Sequence, residues 1–301
     1  MGEYAKRIGE VGENVVVDFL NIIGWKNPQR NVDIPSSDPE KQDKKTNGYD
    51  GYFSYQSPMI SNTLENVLYS TKYSKNAYPN NPVANFKSHY QDLAMAIESF
   101  SKSEMQQETI LLNENISTHF NRGILFWLNN SGDQNNDLIS KLGRIELTRD
   151  FEHDGIFLVD NKRIEFIYDS ICYALLNFRD YDIDFIYFNS GFNNDELTSK
   201  NGKLMPVQYI NASILPLRAH RNGETIVILS SIEPFEKSEL MKLIGIAKNI
   251  GCNLQGKTII CFSNYLETEH QPIVDQVKQA FNDSTFTESL DVTNFNNSIL
   301  R

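Results

Sequence analysis

The chain has 301 residues, 40% of them hydrophobic, and a formal net charge of −11. Such a composition suits a globular chain able to bury a core in one or two domains. No apolar run approaches the roughly 18 residues of a membrane helix, and the opening MGEYAKRIGEVGEN is too polar for the apolar stretch of a secretory signal, so the expected location is cytoplasmic, away from any membrane.

In chain order, Ile8, Val11, Val15, Phe19 and Ile22 recur at helical spacing and predict a helix from about Glu3 to Ile23, ended by Gly24. A short strand near Asn31–Ile34 follows. Then comes a charged, Pro-containing insert, Pro35 to Gly48, which reads as an exposed loop. Strands around Tyr49–Tyr55 and Glu65–Ser74 lead to a helix from about Val83 to Phe100. Residues 104–122 read as helical, GILFWLN and DGIFLVDN as strands, and Arg163–Asn177 as a helix. The strands DIDFIYFN, SILPLRAH, ETIVILSS and KTIICFSN then alternate with helices at Glu236–Ile250 and near Ile273–Phe281, the pattern of a second α/β unit with a partly parallel sheet. No sequence repeat is visible. The division falls between residues 103 and 180, with a first domain of residues 1–103 and an α/β region of residues 104–301.

Cys172, Cys252 and Cys261 are scattered without C-x-x-C spacing, which argues for structural thiols over a disulfide framework or a zinc site. The acidic balance opposes nucleic-acid binding only in the second region: residues 1–103 hold 11 Lys and Arg against 12 Asp and Glu, the remainder 17 against 27. GCNLQGKT (Gly251 to Thr258) matches a phosphate-binding loop as text. That loop works only between a strand and a following helix, whose N-terminus faces the phosphates. Here a helix precedes and a strand follows, so the match fails on context.

The stretch TNGYDGYF and the following NVLYSTKYSKN carry the remaining signal. Side chains alternate across a sheet, so Ser70, Lys72 and Ser74 share a face, and a neighbouring strand brings Asp50 to the same end. An ordinary solvated Asp and Lys would read the same way. In the first helix Gly9 and Gly12 imply close approach of another element. Glu13 lies along that strip and needs a partner if buried, either a metal ion held with Asp50 or Lys72 itself.

This order of helical G-E-x-G-E, a lone Asp on one strand and a strand ending in x-x-K resembles the PD-(D/E)XK, or restriction-endonuclease-like, nuclease superfamily over roughly residues 4–100. More narrowly, the chain resembles the nuclease subunit of a two-gene bacterial anti-phage defence system. The resemblance implies an α/β fold in which a mixed sheet flanked by helices precedes a second α/β unit. It implies a nuclease that hydrolyses phosphodiester bonds, DNA being the first expectation. It implies Mg²⁺, replaceable by Mn²⁺, held by Asp50, Glu13 and the Thr71 carbonyl, with Lys72 as the motif lysine. Partners would be nucleic acid and a second protein subunit encoded alongside, and a homodimer would suit double-strand cutting. Ser70 departs from the pattern, because an acid usually precedes the lysine by two residues. Glu13 is the first candidate to replace it, with Glu65 and Asp92 behind. Tyr73 and Lys75 are candidate contacts to the nucleic-acid backbone, although an exposed strand edge would look the same. The alternative reading is an inactive nuclease-fold subunit for assembly or sensing. His89 reads as a helix-surface residue, His153 and Asp154 as a turn, and Asp180, Asp182 and Asp184 as a solvated strand edge.

Overall fold

A computed structural model describes residues 3–36, 46–132, 137–148, 150–188, 200–251, 256–281 and 283–296, the side chains of 3–6 and 251 excepted. The chain forms two compact units, one running to Ile164 and the other from Glu165 onward.

The first unit contains α1 (Glu3–Ile22), β1 (Gln29–Pro35), β2 (Thr46–Gln56), β3 (Thr63–Ser74), α2 (Val83–Ser101), α3 (Glu104–Leu111), β4 (Thr118–Asn129), α4 (Leu138–Leu142) and β5 (Ile156–Val159). The strands lie in the order β1-β2-β3-β4-β5. Pairing is antiparallel from β1 to β3 and parallel from β3 to β5. The parallel step from β3 to β4 needs a long crossover, which α2 and α3 supply.

Alternation assigns the two faces of this sheet. Tyr52, Leu68 and Leu125 pack against Leu93, Ala96, Ile97 and Phe100 of α2. Tyr69 and Phe126 turn the other way, where Phe19 of α1 meets Phe126 edge-on at 6.1 Å.

The buried side of α1 differs from the expected stripe. Val16, Phe19, Leu20 and Ile23 are buried, whereas Val11, Val15 and Ile22 are exposed. Gly12 explains the rotation. A Cβ on it would come within 2.7 Å of Tyr73 Cγ, and closer still to Tyr73 Cβ, so α1 rests on β3 along its glycine edge. Gly9 has nothing within 4 Å, so close approach holds at Gly12 alone. Gly12→Val should therefore cost about 1–3 kcal/mol by overpacking, while Gly9→Ala should gain up to about 1 kcal/mol of helix propensity. Urea denaturation of the two variants measures both, and equal shifts would remove the packing account.

The expected helix over 104–122 stops at Leu111. Asn115 takes a left-handed turn at φ 61°, and the N–H groups of Ser117 and Thr118 donate to the Asn62 carbonyl. That draws the chain onto β3 and starts the Thr63↔Thr118 ladder. Since β4 and β5 complete the sheet, the first unit passes the expected division at residue 103 and closes at Ile164.

The second unit takes up α5 (Asn161–Asn177) from Glu165. It continues with β6 (Asp182–Ile186), β7 (Asn201–Gly202), β8 (Ile214–Arg221), β9 (Glu224–Ser231), α6 (Lys237–Gly251), β10 (Lys257–Phe262), α7 (Glu267–Ala280), α8 (Ser284–Glu288) and β11 (Leu290–Asn294). Its sheet runs β11-β10-β9-β8-β6-β7, parallel across β9, β10 and β11 and antiparallel elsewhere. Leu240, Leu243 and Ile244 of α6 and Val274 and Val277 of α7 cover Leu229, Ile260 and Phe262. This is the partly parallel α/β unit that the sequence predicts. GCNLQGKT joins α6 to β10, helix before strand, with its residues 252–255 outside the described residues. Cys261 is a buried thiol, as expected, and burial pushes its pKa far up. Cys172 is half-buried, and Cys252 lies outside the described residues.

Candidate active site at the end of the first sheet

The β2–β3 ladder ends at Gly51↔Tyr69. The β1–β2 ladder pairs Arg30↔Gly51 and Val32↔Tyr49 but skips the step between them, where Asn31 has φ 51°. Tyr49 and Tyr52 both pack in the α2-side cluster although they are three residues apart. Strict alternation would place them on opposite faces. The register is the same on both sides of the step, so each strand breaks alternation by one residue, Asn31 in β1 and Asp50 in β2, and the pair kinks together. The kink re-aims Asp50. Its Oδ2 accepts the Thr71 backbone N–H in place of a ladder bond, and accepts from Ser70 Oγ at 3.4 Å.

Lys72 pairs with Trp127 in the β3–β4 ladder. With Ser70 it lines a pocket of about 320 Å³, closed by Asp33 of β1, Gly48 of β2 and Asp92 and Leu93 of α2. His89, one turn before Asp92, meets the Trp127 ring edge-on at 5.3 Å. Burial first, then the Lys72 charge, holds its imidazole below the usual histidine range, with Asp92 opposing. His89 is therefore half-buried beside the lysine, not the solvated helix-surface residue expected.

Glu13 lies on the other face, where its carboxylate pairs with Arg30 at 3.3 Å. Tyr69 stands near both Glu13 and Asp50. Burial pushes its phenol up to about 12, Arg30 pulling down and the Asp50 and Glu13 carboxylates adding to the rise. The Tyr69 hydroxyl and Thr71 Oγ1 are buried with no hydrogen-bond partner among the described residues.

The fold thus brings Asp50, Ser70, Thr71 and Lys72 together and sets Glu13 across the sheet from Ser70 and Lys72. Tyr73 is spent on packing against Gly12, and Lys75 is exposed just past the end of β3. Of the other acids named from sequence, Asp92 reaches the pocket. Glu65 is fully buried 2.8 Å from Arg122. Asp33 also lines the pocket, and no local pattern marks it, since it gets there only through strand pairing. Asp33 and Asp92 line the pocket with Ser70, and Asp50 meets Ser70 from beside it. These are oxygen donors of the kind Mg²⁺ or Mn²⁺ takes, although the three carboxylates do not gather within 4.8 Å of one another.

A second group of ionisable residues lies in the second unit. Asp182 and Asp184 of β6 and His220 of β8 bring ligand atoms within 4.8 Å of one another. Lys203 pairs with both carboxylates, at 3.1 Å to Asp184, and Arg218 reaches Asp184 at 3.1 Å. Asp184 is 7% exposed, so the expected solvated edge holds for Asp180 and Asp182 only.

A mixed five-stranded sheet between helices, with an aspartate on the second strand and a lysine near the end of the third, is the PD-(D/E)XK nuclease architecture. The family model described as "GAPS4 protein PD-(D/E)XK nuclease domain" matches residues 1–163. The chain belongs to this family, the nuclease of an anti-phage defence system. No curated protein and no solved structure matches it. Among the described residues no helix is long and apolar enough to cross a membrane.

Proposed function

We propose that the chain is a divalent-metal-dependent endonuclease that hydrolyses phosphodiester bonds, of DNA in the first instance, and acts in anti-phage defence with a partner subunit. The observation that carries this reading is the contact of the Asp50 carboxylate with Ser70 and the Thr71 N–H, beside the pocket lined by Lys72.

Asp50 and the Thr71 carbonyl, with Asp92 reaching in from the pocket, would hold Mg²⁺ or Mn²⁺, which lowers the pKa of bound water and polarises a phosphoryl oxygen. Lys72 orients the attacking water and offsets the negative charge that gathers on the phosphoryl oxygens. Ser70 contributes a neutral hydroxyl where the family pattern has an acid, so the cation is held more weakly than by a full acid set. Asp92 on α2, not Glu13 on α1, is the acid that compensates. A non-catalytic assembly or sensor subunit is the second reading, and it draws on that same serine.

Calorimetry with Mn²⁺ separates these readings. Asp92→Asn should weaken binding by about tenfold or more, Glu13→Gln should leave it unchanged, and Ser70→Glu should tighten it. The reverse order for Asp92 and Glu13 would move the cation to the α1 side. Absence of any Mn²⁺ binding would favour the assembly subunit.

A further inference from the structure

The two units share no sequence repeat, yet their chains follow one path. Each begins with a helix, α1 or α5, and lays down three antiparallel strands, β1-β2-β3 or β6-β8-β9. Each then crosses over through a helix to a parallel strand, β4 or β10, and through further helix to another, β5 or β11. The faces correspond as well. In the first unit α1 covers the Phe126 face, while α2 and α4 cover the Leu125 and Trp127 face. In the second, the Tyr173 phenol of α5 lies near Cys261 and hydrogen-bonds Thr293, while α6 and α7 cover Ile260 and Phe262 on the opposite face. The insertion of β7 beside β6 is the main departure.

This correspondence locates where a second cutting centre would stand. In the first unit it is the start of β2 and the end of β3, on the side of the crossover helix. The same place in the second unit is the start of β8 and the end of β9. Residues Ile214–Leu217 and Thr225–Ser231 there contain no ionisable side chain. Leu229 belongs to the core under α6. The fully buried Ser231 donates to Glu239 of α6, whose carboxylate is already paired with Lys242 at 3.1 Å and meets no strand aspartate or lysine among the described residues. The titratable cluster of Asp182, Asp184 and His220 sits at the other end of the meander, where Asp182 pairs with His220 near the β8–β9 turn, and Lys203 and Arg218 neutralise it.

Resting on the reading given under Proposed function, we infer that the second unit is a silent copy of the nuclease topology, so that one chain makes one strand scission per encounter with duplex DNA. Nicked circles are then the first product from supercoiled plasmid, and a double-strand break needs a second chain or a second encounter. The step is hydrolysis: water adds to phosphorus, one P–O ester bond breaks, and the proton of the attacking water passes to solvent while the leaving oxygen takes one up.

The test uses full-length chains and supercoiled plasmid with Mg²⁺. Wild type diluted with an excess of Lys72→Ala chain should give nicked circles first, with linear DNA arising only later from those circles. His220→Ala and Asp182→Asn should each cut within about twofold of wild type, as substitutions of partly exposed residues outside the site do. Linear DNA formed directly in the mixture would overturn the inference. So would cutting that survives Lys72→Ala and disappears on adding His220→Ala. If wild type cuts nothing, the nuclease reading falls, and Mn²⁺ titration still decides this one. Binding kept in Asp50→Asn but lost in His220→Ala overturns it, and absence of such binding upholds it.

Discussion

Lys72→Ala should lower phosphodiester cleavage by about 10²–10³-fold, the usual cost of removing one preorganised group that meets developing charge. The expectation follows from where β3 puts the side chain. Pairing with Trp127 fixes Lys72 on the α2 face, and Ser70, two residues earlier, lines the same pocket. Asp50 is tied to the backbone between them through the Thr71 N–H. The ammonium is also near enough to His89 to add to the burial that lowers its pKa. Lys72→Ala should leave Mn²⁺ binding in place, because the carboxylates remain. Lys72→Arg should restore little, since a planar fork does not occupy the place of a compact ammonium. Plasmid nicking assays and calorimetry on the same preparations read both quantities. Undiminished nicking by Lys72→Ala would take the residue out of the chemistry.

Much of this site is legible in the sequence, and what is not has physical causes. Alternation in NVLYSTKYS puts Ser70 and Lys72 on one face, and the structure keeps them there. The kink at Asn31 and Asp50 is invisible to a period of two, because both strands lose alternation at the same step. That Asp92 lines the pocket depends on how α2 crosses the sheet, and that Asp33 does depends on β1 pairing with β2 in register, both long-range facts. Glu13 looks like the compensating acid because a glycine edge marks its helix for close contact. That edge meets Tyr73, and it leaves Glu13 on the face opposite the lysine. The helix expected over 104–122 fails where Asn115 takes a left-handed conformation and Asn62 captures the next two amides. The repeated topology is hidden for a related reason. A strand such as TIVILSS satisfies the same packing as VLYSTKYS without retaining any residue that carries chemistry.

The largest effect on stability should come from Arg122→Ala. Glu65 is fully buried on β3, and its Oε2 accepts from Arg122 Nε of β4 at 2.8 Å. The guanidinium also donates to the Asp154 carbonyl at 2.8 Å and lies 4.7 Å from the centre of the Phe120 ring. One side chain thus joins β3 to β4 and to the segment that enters β5. A carboxylate taken out of water depends on the charge that faces it, so removing this arginine should cost up to about 3–5 kcal/mol. For a unit of this size that lowers the melting temperature by roughly 10 °C. Replacing both partners by leucine should recover most of the loss, because no charge is then left stranded. The same pair decides a point about the site. If Glu65 serves the fold and not the cation, Glu65→Gln should leave Mn²⁺ affinity intact below its melting transition, and a weakened affinity there would return Glu65 to the metal shell. An Arg122→Ala chain as stable as wild type would mean that Glu65 is satisfied without its arginine, and the buried pair would lose its structural role.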